Sequence, residues 1–149
     1  MEQSFYFLCR NVSIQAESFL QRELNGFELT PAQANLLLLI LSEYPQGTTL
    51  TQLHERLGIT KSSLSSLIKP AKQKGYLQVH CFDGDERVKV LMPTDKLLRI
   101  HHRLEEAESN LQNAMLHAVG QERLEDAGQT LDELCRKGAE YLKKGAHNR

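Results

Sequence analysis

Apolar residues recur every three or four positions through most of this chain, and they alternate with polar ones over one short stretch. Phe5, Leu8, Val12, Ala16, Phe19 and Leu24 follow helical spacing and predict a first helix over residues 4–25, ended by Asn25-Gly26. Thr30-Pro31-Ala32-Gln33 is a start signal: a threonine cap, a proline at the first helical position and a glutamine able to close a capping box. The helix it opens runs to about Tyr44. It contains Asn35-Leu36-Leu37-Leu38-Leu39-Ile40-Leu41, a run too short to span a membrane and suited to a fully buried helix. Thr49-Leu50-Thr51-Gln52 repeats the capping pattern for a short helix to Leu57, stopped by Gly58. A further helix is predicted from Lys61 to Lys74, capped by Thr60 and ended by Gly75 in a left-handed position.

From Tyr76 the period changes to two. Leu77, Val79 and Cys81 alternate with Gln78, His80 and Phe82. Arg87-Val88-Lys89-Val90-Leu91 alternates again beyond an Asp83-Gly84-Asp85 tip, which predicts a β-hairpin. Thr94-Asp95 opens a long helix to about Val119, Gly120 interrupts, and a last helix is predicted from Gln121 to about Lys144. Helix, turn, helix and hairpin, in that order from Leu50 to Leu91, make a winged helix-turn-helix, whose second helix commonly lies in the major groove of DNA. The expected fold is therefore mainly α with a small β-hairpin wing: a winged helix-turn-helix DNA-binding module plus long dimerisation helices. Residues 1–149 read as one domain, with the DNA-binding module at 30–93 and helical dimerisation regions at 1–28 and 94–145.

The second helix of that module has two faces. Leu64, Leu67, Ile68 and Ala71 are apolar, whereas Lys61, Ser62, Ser63, Ser65, Ser66, Lys69 and Lys72 offer small donors and cations suited to phosphates and base edges. With Thr60 at the helix start, and Asp85, Arg87 and Lys89 on the wing, these are the candidate DNA contacts. Arg87 suits the minor groove, with Asp85 holding its guanidinium; the bland alternative is a surface ion pair. The chain's net charge of −1 says nothing for nucleic acid, but its distribution does. From Thr48 to Val90 there are seven cations against four anions, a modest basic footprint on an acidic frame.

The two long helices exceed what a small winged module needs to cover itself. On the last one Leu124, Gly128, Leu131, Cys135, Gly138 and Leu142 recur at spacings of four and three, flanked by Leu134 and Tyr141. Such a seam serves either an intramolecular hairpin or a dimer interface shared with Phe5, Leu8 and Val12 of the first helix. Gly128 and Gly138 each weaken a helix by about 1 kcal/mol, so their place on the seam suggests close backbone approach.

Chemistry of other kinds is thinly represented. Cys9, Cys81 and Cys135 are odd in number and lack a CxxC spacing, which points to free thiols in a reducing compartment. No apolar run reaches membrane-spanning length and no secretion signal is visible, so the expected location is the cytoplasm. His101-His102 and His80-Cys81 diverge from one another and make no chelating pair, so no metal or other cofactor is expected. His101 and His117 read as polar members of helix interfaces. No nucleophile elbow or phosphate-binding glycine loop marks an enzyme.

Taken together, these elements resemble the MarR family of bacterial transcription regulators over nearly the whole chain. Leu29-Thr30-Pro31-Ala32-Gln33 is similar to the family's entry to its second helix, and Leu50-Thr51-Gln52-Leu53 through Leu57-Gly58-Ile59 to its first helix-turn-helix element. Lys61-Ser62-Ser63-Leu64-Ser65-Ser66-Leu67-Ile68 with Lys74-Gly75-Tyr76-Leu77 resembles the recognition helix and its exit. Asp85-Glu86-Arg87 resembles the Asp-x-Arg wing motif. The resemblance implies a homodimer joined by the first and last two helices and bound to double-stranded DNA at a pseudo-palindromic operator. It further implies recognition helices about 34–36 Å apart, one turn of B-DNA. A repressor released by a small-molecule effector is the leading expectation, with a ligand cleft lined by the first, second and fifth helices. Two alternatives stay open: a winged-helix protein–protein interaction module without its own operator, and a thiol-based redox-sensing regulator using Cys9. The chain departs from the family pattern at Ser66, where many members carry arginine, at Pro70, and at Pro93-Thr94-Asp95-Lys96-Leu97 in place of Leu-Thr-Glu-Lys-Gly. Without that arginine, sequence preference rests on softer serine contacts or on DNA shape.

Overall fold

The computed structural model describes residues 2–82, 84–138, 140–141 and 144; of residues 82, 85 and 86 it describes the backbone alone. The chain separates into two compact units, Met1–Leu111 and Gln112–Arg149. The first contains α1 (Phe5–Glu23), α2 (Pro31–Glu43), α3 (Leu50–Leu57), α4 (Lys61–Gln73), β1 (Leu77–Phe82), β2 (Asp85–Pro93) and most of α5 (Asp95–Val119). The second holds α6 (Gln121–Glu133), which runs into a π-helical turn at Leu134–Gly138. The mainly α fold with a hairpin wing is thus the observed one.

The start signals in the sequence act as expected. Thr30 accepts from Gln33 N–H while the Gln33 side chain accepts from Thr30 N–H, at 3.2 and 3.1 Å. Thr49 and Gln52 form the second box at 3.2 and 3.0 Å. Two otherwise orphaned donors are satisfied at each helix start, which is why both helices begin at those threonines. The leucine-rich run becomes the centre of the core: Leu36, Leu37, Ile40 and Leu41 of α2 are buried among Leu53, Leu64, Ile68, Leu91, Leu97 and Leu104. Each such leucine contributes about 2 kcal/mol by leaving water. Because α3, α4, the hairpin and α5 all close on this one helix, its leucines determine where the other elements sit.

The wing is antiparallel, with Leu77 opposite Pro93 and Cys81 opposite Lys89, and the register slips between Cys81 and Phe82. A single bridge from outside the hairpin, which no local pattern announces, adds to it beside β2. Thr48 pairs with Leu91, its N–H donating to Leu91 O at 2.9 Å and its carbonyl accepting from Leu91 N–H at 2.7 Å. Gly47 makes that approach possible. Its φ is +114°, and a Cβ there would lie 2.6 Å from Val90 Cγ1 and 3.4 Å from Leu91 O. Gly47→Ala is expected to lower stability by about 1–3 kcal/mol. A urea midpoint equal to that of the unchanged protein would show that the loop relaxes freely.

The last helix reaches as far as predicted but carries a π turn: α6 ends at Glu133, Leu134–Gly138 widen to π geometry around Cys135 and Gly138, both poor helix formers, and Glu140, Tyr141 and Lys144 are helical again. The recognition helix runs through Pro70 to Gln73 and ends at the Gly75 left-handed turn (φ +82°), as its sequence predicts. Among the described residues of the single chain, nothing lies within 4 Å of a Cβ built at Gly128 or Gly138. Leu142 lies outside the described residues.

Candidate nucleic-acid interface

The recognition helix presents the two faces that its sequence requires. Leu64, Ile68 and Ala71 are buried, whereas Lys61, Ser62, Ser63, Ser65, Ser66, Lys69 and Lys72 are exposed along one side. At its start Thr60 Oγ1 accepts from Ser63 N–H at 3.1 Å and donates to Ser63 Oγ at 2.9 Å. Thr60 is therefore engaged in capping the helix. Ser66 Oγ donates back to Ser62 O at 3.1 Å, which occupies its proton and leaves its oxygen as an acceptor. At the position where the family pattern has an arginine, the chain thus offers a short acceptor.

Between α4 and the wing runs a groove of about 380 Å³. Its floor is Leu50, Ile68, Val79 and Leu91, and its rim carries Ser65, Lys69, Lys72 and Lys89. Three ammonium groups from two elements, 17 residues apart or more across the hairpin, converge only because the wing folds back along α4. A row of cations at that edge fits a phosphate backbone. Arg87 and Lys89 are exposed on β2. Asp85 belongs to the same strand, but its side chain, and with it the expected hold on Arg87, lies outside the described residues.

Arg56, which the sequence placed in the basic footprint, has another task. Its Nε and an Nη donate to the two Glu43 carboxylate oxygens at 2.8 and 2.7 Å, tying α3 to the end of α2. The pair is separated by 13 residues, so no local spacing announces it. The Arg56 hydrogen bond, and secondarily its charge, hold the Glu43 carboxyl below its ordinary range. A depressed carboxylate keeps this tie at neutral pH and loses it as pH falls through that lowered value. Arg56→Met should return the Glu43 midpoint to the ordinary carboxylate range in an NMR titration; an unmoved midpoint would remove Arg56 as the cause.

Elsewhere in the unit, Leu20 of α1 and the following Leu24, Ala34, Asn35 and Leu38 of α2, and Leu104, Ala107 and Glu108 of α5 line a cavity of about 150 Å³. Helix periodicity identified the three elements but not the residues that face one another across them. His101 sits beside a neighbouring depression, with Nε2 3.2 Å from Glu105 Oε1. His117 is exposed. Cys9 is half-buried and Cys81 and Cys135 are exposed, all three as free thiols. No helix among the described residues is long and apolar enough to cross a membrane.

The expected dimerisation residues are uncovered in the single chain. Phe5, Leu8 and Val12 of α1 are 58, 45 and 54% exposed, and Leu131, Leu134 and Tyr141 are 46, 46 and 75% exposed. Leu124 is half-buried, and neither α1 nor α6 buries any residue.

A helix with one buried face and one lysine- and serine-rich face, laid beside an antiparallel hairpin, defines a winged helix-turn-helix module of the DNA-binding class. A family model described as the MarR family matches residues 27–87, the stretch that carries the winged module. The fold extends the likeness to the whole chain. MepR of S. aureus, solved as a DNA complex, is similar with a TM-score of 0.80 and 17% identity, over 91% of this chain and 99% of its own. A MarR protein from Peptoclostridium difficile matches with a TM-score of 0.83 and 19% identity, over 97% of this chain and 93% of its own. The reduced form of MarR from E. coli matches at 0.72 and 16% identity, over 90% of this chain and 98% of its own. No curated protein matches the sequence.

Proposed function

We propose that this protein is a homodimeric transcriptional repressor acting in the cytoplasm. In this reading residues 30–93 of each copy bind one half of a pseudo-palindromic operator, residues 1–28 and 94–145 join the copies, and a small ligand releases the DNA. The observation that carries the DNA-binding part is the α4 face of exposed serines and lysines beside the lysine-rimmed groove. Lys61, Lys69, Lys72 and Lys89 contact phosphates, Ser62, Ser63, Ser65 and Ser66 meet phosphates or base edges, and Arg87 enters the minor groove. The uncovered apolar stripes on α1 and α6 support the dimer, because large exposed apolar patches ordinarily mark an interface. The cavity between α1, α2 and α5 supports ligand release. At about 150 Å³ it is below the roughly 300 Å³ of ordinary ligand pockets, so the ligand is small or widens it on entry.

The test is a gel-shift titration against duplexes selected from a random pool. Neutralising about 6–10 phosphates weakens binding ~10³–10⁵-fold from 50 to 200 mM salt. Arg87→Ala should weaken binding about tenfold with the dimer mass unchanged. Salt-insensitive or absent binding would assign the winged module to protein contacts instead.

A further inference from the structure

The last turn of α4 is closed by three bonds of its own: Lys74 N–H to Pro70 O and Gly75 N–H to Lys72 O, both at 3.0 Å, and Tyr76 N–H to Ala71 O at 2.9 Å. The next three consecutive carbonyls, of Lys74, Gly75 and Tyr76, lie beyond the helix and have partners from another element. All three are taken by the first residues leading into α5. Lys96 Nζ donates to Lys74 O at 2.5 Å, Thr94 Oγ1 to Gly75 O at 2.6 Å, and Thr94 N–H to Tyr76 O at 3.2 Å. The same Thr94 hydroxyl accepts from Leu97 N–H at 3.3 Å and so begins α5 while it ends α4. The Lys96 ammonium also stands 4.5 Å from the centre of the Tyr76 ring. Burial, with the Glu28 carboxylate as a lesser cause, holds the Tyr76 phenol above its ordinary range, so the ring under that cation is neutral. From the other side Lys74 Nζ donates to the carbonyl of Glu28, in the connection between α1 and α2. The end of the recognition helix is thus held by side chains from both the α1–α2 connection and α5.

Geometry gives this joint leverage. With 13 residues, α4 is about 20 Å long. A rotation of about 10° at its clamped end moves the other end by about 3.4 Å, the rise of one base pair. We propose that Lys96, with Thr94, Lys74 and Tyr76, is a positioning clamp that sets the angle of the recognition helix and so fixes the half-site spacing the dimer accepts. The inference rests on the DNA-binding reading above. None of these four residues belongs to the proposed DNA contacts.

The experiment uses the full chain and a duplex selected by it from a random pool, together with duplexes carrying one base pair more or fewer between the half-sites. The unchanged protein should prefer its selected spacing by about tenfold or more. Lys96→Met keeps the length of the side chain and removes its charge. It should reduce that preference to about twofold, with dimer mass and binding to random duplex unchanged, and Lys96→Arg should restore it. Lys74→Met, which releases the Glu28 arm, should act in the same direction and gives the same readout if Lys96→Met does not fold. A spacing preference that survives Lys96→Met overturns the clamp, as does an equal loss of affinity for every duplex. If the unchanged protein binds no duplex at all, the DNA-binding reading falls and the clamp with it, a result distinct from either.

Discussion

Leu131→Glu is expected to convert the dimer to a monomer, halving the mass seen by light scattering at micromolar protein. Leu131 is 46% exposed in the single chain and lies in the middle of the seam that starts at Leu124 and is flanked by Leu134 and Tyr141. In an assembled dimer each copy would place a carboxylate against apolar side chains of the other. An unpaired buried charge costs several kcal/mol, enough to raise the dissociation constant by about 10³-fold or more. Operator binding should weaken by about 10²–10⁴-fold as well, because two linked modules gain that much over one. The folded module should be unaffected, since α6 buries no residue and the core lies in other elements. A mass that does not change would take Leu131 out of the interface and leave the α1 stripe as its candidate.

The second large effect is electrostatic. Lys69, Lys72 and Lys89 line one groove between α4 and the wing, and replacing all three by glutamine removes three cations without disturbing the buried faces beneath them. If each meets a phosphate, a dimer loses six contacts. The slope of log affinity against log salt should then fall by about 5, and by about half that if only one protomer engages the duplex. The measurement therefore reports stoichiometry as well as location. A slope equal to that of the unchanged protein would place the phosphate backbone away from this groove.

The Arg56–Glu43 fork shows how charge in the sequence can mislead. Arg56 belongs to the basic stretch by position, yet it is spent on a carboxylate at the end of α2, at 2.7 Å. The basic footprint facing outward is smaller than the residue count implies, and it is concentrated on α4, with Lys61, Lys69 and Lys72 and no acidic residue. Conversely, Lys74 and Lys96 look like two more solvated cations in the sequence. In the fold they hold carbonyls of Glu28 and Lys74.

Local rules were sufficient for everything that depends on neighbours in the chain. The capping threonines, the left-handed Gly75, the two faces of α4 and the β alternation after Tyr76 all follow from interactions within about four residues, and each is present in the structure. These features specify the winged helix-turn-helix. Contacts between distant segments were decided only by the tertiary structure: the Thr48–Leu91 rung that needs Gly47, the Glu43–Arg56 fork, the lysine-rimmed groove, the cavity among α1, α2 and α5, and the clamp at Thr94 and Lys96. Side-chain periodicity tells which face of an element is covered, but not which residue of another element covers it. That choice is made when α3, α4, the wing and α5 close together on the leucines of α2.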